Sequence, residues 1–98
     1  MPVSAVSRYR GGTVEDVTPL AKAMKAVLLK HGVSYRVSRF QTEENAAEWL
    51  VVVQYADWQA YERALDSFAQ DPDHKKAITE ISKVVTLVSR EMVVDLDL

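Results

Sequence analysis

Cysteine is absent from this chain of 98 residues, histidine occurs twice, and glycine and proline occur three times each. Without cysteine there is no disulfide framework, no thiolate nucleophile and no sulfur-ligated zinc. The histidines, at positions 31 and 74, give no spacing of three or four converging ligands, so no metal site is expected. Gly11-Gly12 lacks the further glycines and the lysine of phosphate-binding loops, and no cofactor is expected. There is no basic excess either. Twelve Lys and Arg against 14 Asp and Glu leave a net charge of −2, which argues against a nucleic-acid partner. No apolar run approaches a membrane span, and the opening MPVSAVSRYRGG lacks the charged-then-apolar profile of a leader. The expectation is a cytoplasmic protein with no membrane partner.

What the chain does contain is 48% hydrophobic and 27% charged residues, enough for one small domain spanning residues 1–98. Pro2–Arg10 mixes small, β-branched and aromatic residues and reads as a strand. Thr18-Pro19 offers an N-cap and a proline at the first helical position, with a less regular turn over Thr13–Val17 before it. Leu20, Met24, Val27, Leu28 and His31 then recur at helical spacing, and Gly32 stands where a left-handed residue ends a helix. Two β-like runs follow, Val33–Phe40 and Glu48–Tyr55, joined by the polar Gln41–Ala47. Asp57 caps a second helix with the stripe Tyr61, Ala64, Leu65 and Phe68. Asp71-Pro72 restarts a short helix carrying Ala77, Ile78 and Ile81, and the chain ends in the apolar run Val84–Val94.

The order is β-α-β-β-α-β, which predicts an α+β, ferredoxin-like sandwich: an antiparallel sheet with its helices on one face. The other face of such a sheet should meet water, with strands alternating apolar and polar. Two strands do not alternate. Trp49-Leu-Val-Val-Val53 and Val84-Val-Thr-Leu-Val88 are apolar on both faces, and soluble monomers avoid exposing broad apolar patches. A second copy related by a two-fold axis is the cheapest cover. Lys83–Val94, read as one strand, would outrun its neighbours and reach toward that copy. A homodimer formed through the open sheet face and the C-terminal strand is therefore expected.

These elements, together with the stretch WLVVVQYADWQAY from Trp49 to Tyr61, resemble the dimeric α/β-barrel superfamily. Its members include antibiotic-biosynthesis-type monooxygenases and NIPSNAP-like proteins. Lys30-His31-Gly32 and Asn45-Ala-Ala-Glu-Trp49 are similar to an uncharacterised bacterial group of that superfamily. The resemblance implies a ferredoxin-like protomer, a dimeric α/β barrel built by two chains, and a ligand site inside that barrel. The monooxygenase members carry a Trp near the start of the second helix and a His toward its end. Trp58 matches the first, whereas Leu65–Ala69 contains no His.

The ligand-pocket candidates are Arg8 and Arg36 on the strands, the aromatic Tyr35, Trp49 and Tyr55, and with them Trp58 and His31. Arg8 and Arg10 share one face of the first strand, while Arg36 and Arg39 point to opposite faces of the second. An apolar cavity with a few such polar groups is the usual make-up of a small-molecule site. The structural alternatives are arginines that lie at strand ends or pair with Glu48 and Glu91 across the dimer, Trp58 as a staple over its helix, and His31 as a helix-end histidine. His74 reads as a surface residue. No catalytic residue can be assigned, since no serine has an adjacent base. Two functions stay open. In one, the protein binds or oxidises a small aromatic or apolar molecule in the barrel cavity without a metal, Arg8 or Arg36 stabilising an anionic form and Trp58 or Tyr35 orienting the ring. In the other it is a non-catalytic ligand-binding or assembly protein whose apolar face serves dimerisation. A cavity of roughly 300 Å³ or more favours the first, and a lumen filled by Val and Leu the second.

Overall fold

In the computed structural model, the described residues form, in order, β1 (Val3–Arg10), α1 (Val14–Lys30), β2 (Ser34–Arg39), β3 (Glu48–Tyr55), α2 (Trp58–Ala69), α3 (Pro72–Ser82) and β4 (Thr86–Val94). The structure describes residues 1–41 and 47–98, so most of the expected Gln41–Ala47 hairpin loop lies outside the described residues. The strands form one sheet in the order β2-β3-β1-β4, and each neighbouring pair is antiparallel. This is the ferredoxin-like arrangement, with the second helical segment broken in two by Asp71-Pro72. Met24 and Leu28 of α1, Ala64 and Phe68 of α2 and Ala77 of α3 meet Val3 and Tyr55 in a single core. All three helices therefore cover the same sheet face.

Capping explains where the helices begin. Asp57 accepts from the Ala60 N–H at the start of α2, and Asp71 accepts from the Asp73 N–H at the start of α3, both as their residue types predict. The start of α1 differs from the expectation. Thr13, not Thr18, is the N-cap: its hydroxyl accepts from the Asp16 N–H, while the Asp16 carboxylate accepts from the Thr13 N–H. This reciprocal capping box satisfies two donors at once, which outcompetes the single cap that Thr18 could offer. Thr18 instead donates back to the Val14 carbonyl, and Pro19 is carried inside the helix. At the other end Gly32, at φ +71°, closes the helix as its position suggests. The Gly32 N–H bonds the Leu29 carbonyl and the Val33 N–H bonds the Leu28 carbonyl, the paired bonds of a Schellman ending.

The C-terminal strand also departs from the sequence reading. It is nine residues long, and the whole of β1 pairs with it, from Val3 opposite Val94 to Arg10 opposite Thr86. The register slips between Arg8 and Tyr9, where a bulge lets β4 use one extra residue. The bulge absorbs length, and Val84 and Val85 belong to the turn after α3, so no overhang remains. The unpaired edge of β4 faces away from β1 along the strand's full length.

Candidate functional site

Register decides what stands beneath the helices. Successive rows across the helix-facing side of the sheet read Tyr35–Val53–Ala5–Met92 and Val37–Val51–Ser7–Arg90. The central strand thus contributes two of its smallest side chains, Ala5 and Ser7, where the helices cross. Ala21 on α1 is small as well. These residues leave a cavity of about 190 Å³ between sheet and helices. Tyr35, Trp49 and Tyr55 line it from the sheet, and Tyr61, Phe68 and His74 from α2 and α3. An apolar cavity of about 150 Å³ accepts benzene. At about 190 Å³ this one falls short of the roughly 300 Å³ expected for a drug-sized ligand, and its size suits a molecule of one or two rings.

The polar groups of the cavity are few and fixed. Arg90 Nε donates to Ser7 Oγ at 3.0 Å, and its Nη2 donates to the Tyr9 hydroxyl at 2.9 Å. Arg90 also lines the cavity while remaining solvent-exposed, so it stands at the opening. Burial pushes the Tyr35 and Tyr55 hydroxyls up to about 12, so both stay protonated at neutral pH. Trp49 is buried, its Nε1–H donating to the Gly11 carbonyl at 2.7 Å with the Arg39 guanidinium 4.7 Å from its ring. An indole anchored on both sides gives the wall a fixed flat surface.

Beside the cavity, two imidazoles enclose Phe68. His74 stacks on the phenyl ring at 4.5 Å and 3°, and His31 meets it edge-on at 5.1 Å. His31 Nε2 lies 2.7 Å from Asp71 Oδ2, and because a carboxylate can only accept, that nitrogen carries the proton. Lys30 Nζ reaches Asp71 at 3.2 Å and Asp73 at 3.0 Å. Asp71 therefore ties the end of α1 to the start of α3 while capping α3. The His31 hydrogen bond holds its carboxyl well below the usual carboxylate range, helped by the Asp73 N–H and Lys30.

Because that carboxyl is depressed in the folded state, its stabilisation is present above about pH 4 and fades as acid protonates it. Asp71→Ala should lower the melting midpoint at pH 7 by roughly 4–8 °C, the effect of one lost cap in a domain of this size. Asp71→Asn keeps a capping oxygen and loses the charge, so its deficit should be smaller and should shrink as pH falls from 7 to 3. Thermal melts by circular dichroism at both pH values test this. A deficit for Asp71→Asn that grows on acidification would contradict the assignment.

The sequence candidates thus divide. Tyr35, Trp49 and Tyr55 come together in the cavity. Arg8 and Arg36 lie on the opposite, open face of the sheet. Arg8 is held there within its own chain, by Glu48 at 3.4 Å and over the Phe40 ring at 4.5 Å, and Glu48 also accepts from Arg10. His31 is engaged by Asp71 in a separate groove. Trp58, 48% exposed, packs edge-on against Tyr61 at the start of α2. This cavity lies within the protomer, beneath the helices. Arg90, Ser7 and His74 were missed by the sequence reading. Only the small residues of β1 signalled this space, and Arg90 is brought to it by the bulge. Among the described residues no group of three or more His, Cys, Asp or Glu could hold a metal ion, and no helix is long and apolar enough to cross a membrane.

Neither a protein-family model nor a curated protein sequence matches the chain. Solved structures do match its shape. SnoaB from Streptomyces nogalater, a cofactor-independent oxygenase, superposes with a TM-score of 0.74 at 14% identity, over 99% of this chain and 95% of its own. The chain has the ferredoxin-like protomer fold of these structures. A candidate antibiotic biosynthesis monooxygenase from Chloroflexus aurantiacus matches with a TM-score of 0.60 at 14% identity, covering 99% and 95% of the two chains. A dimeric protein of unknown function with a ferredoxin-like fold, from Bacteroides fragilis, gives 0.59 at 14% identity, covering 94% and 92%. Fold alone carries no activity.

Proposed function

We propose that this protein is a homodimer that binds a small, flat, largely apolar molecule in the cavity beneath its helices, and that it oxidises such a molecule with dioxygen as the electron acceptor. The observation that carries the binding reading is the composition of that cavity: aromatic walls from Tyr35, Trp49, Tyr55 and Phe68, with Arg90 fixed at the opening by Ser7 and Tyr9. This arrangement suits a ring system bearing one electron-rich oxygen, which the guanidinium would meet. The likeness to SnoaB supports oxidation as the chemistry. Two features support the dimer. The open face carries an apolar centre of half-buried Val6, Leu50 and Val52, and a structural neighbour is dimeric.

The test is binding of 2-naphthol, followed by quenching of the Trp49 indole that lines the cavity. Saturable quenching in the micromolar range is expected, and Ala21→Phe, which places a ring in the cavity, should abolish it. Equal quenching in the filled variant would place the ligand elsewhere and overturn the reading.

A further inference from the structure

The lining of the cavity poses a question of proton chemistry. Its titratable groups, among the described residues, are Tyr9, Tyr35, Tyr55, Tyr61, His74 and Arg90. An arginine stays protonated, and the buried tyrosines are held neutral with their hydroxyl protons in place. None of these can accept a proton at neutral pH. An imidazole can. His74 is half-buried, lines the cavity, and has its ring plane set by the stack on Phe68.

We propose that His74 is the general base of this cavity, taking a proton from the acidic carbon of a bound enolisable ketone of one or two rings. The C–H bond breaks, its electron pair moves into the enolate, and the proton joins a ring nitrogen of His74. Arg90, the cation among the described residues of the same lining, offsets the charge that develops on the enolate oxygen. The proposal rests on the reading of the cavity as a ligand site.

The surroundings suit a base that must be free of its proton. Burial lowers the pKa of His74 from the usual imidazole value, and His31 acts in the same direction while Asp71 opposes it. The third residue of a helix also stands in the positive end of the helix dipole, which disfavours an imidazolium. At this end Asp71 and Asp73 are tied to Lys30, and Asp71 is bonded to His31 as well. None of their bonds occupies His74, whose ring makes its contact with Phe68.

The experiment is exchange of the C1 protons of 2-tetralone for deuterium in heavy water, followed by proton NMR, with binding read in parallel from Trp49 quenching. The wild-type protein should accelerate exchange, and the rate should fall on acidification with a midpoint below the usual imidazole value. His74→Gln and His74→Phe should each slow exchange by about a hundredfold or more with affinity changed less than about threefold. His74→Phe keeps the stacked ring and guards against a merely structural loss. Binding with no acceleration, or equal acceleration in both variants, overturns the role of His74 and leaves the cavity reading standing. No binding of 2-tetralone or 2-naphthol overturns both.

Discussion

Phe68→Ala is expected to cost about 3–5 kcal/mol of folding free energy, the range for removing a buried aromatic ring. Phe68 is 7% exposed, belongs to the central core and touches the rings of both histidines. Its loss removes the surface that α1, through His31, and α3, through His74, share with α2. The space left behind joins the cavity that Phe68 already lines, so the neighbouring groups can do little to close it. Small domains are stable by some 5–15 kcal/mol, so this one change should take away a large part of the total. The melting midpoint should fall by roughly 15 °C or more. Leu65→Ala, at a 45% exposed position of the same helix, should cost no more than about 1 kcal/mol. Urea unfolding of the two variants measures the contrast. A deficit below about 1 kcal/mol for Phe68→Ala would show that the three helices are not joined through this ring.

The second large effect concerns assembly. Val6 and Val52 are paired directly on the two central strands, with Leu50 beside them, all on the face that no helix covers. In the proposed dimer a two-fold axis repeats every substitution, so Val52→Lys would place two ammonium groups in one apolar contact. Each would lose its water, and like charges brought together cost several kcal/mol. The dimer dissociation constant should rise by about a hundredfold or more. The monomer should stay folded, because Val52 is only half-buried in the single chain. Leu29→Lys, at a 70% exposed site on α1, should leave assembly unchanged. Light scattering across a concentration series reads both. A wild-type protein that stays monomeric at micromolar concentration would remove the dimer, and an unchanged dimer in Val52→Lys would move the interface to another surface.

Local chemistry made most of the fold legible from sequence. Asp57 and Asp71-Pro72 announce their helices because capping and a fixed proline φ act within one turn. Gly32 marks the end of α1 because its left-handed conformation disfavours a side chain. Trp49–Val53 is apolar on both faces and reads as a strand from its residue types alone. Where two local signals competed, sequence reading chose wrongly. Thr18-Pro19 looks the stronger start, but the Thr13–Asp16 box satisfies two donors against one.

The site was only half legible, for a reason of parity. Strand alternation puts Trp49 and Tyr55 on one side of β3, and the β2–β3 register adds Tyr35. Carried along β4 from Leu87, the same alternation would turn Arg90 away from the helices. The bulge at Arg8/Tyr9 inserts one residue and reverses that assignment, so Arg90 pairs with Ser7 and reaches the cavity. His74 poses the same problem from a helix: nothing within its segment shows that Phe68, on a different helix, will receive its ring. What the 98 residues determined by themselves are the elements, their order and the surplus of apolar strand surface, since propensity, capping and periodicity act over a few residues. The space under the helices, and which charged groups stand at it, depend on register and on contacts between residues far apart in the chain, and only the tertiary structure decided them.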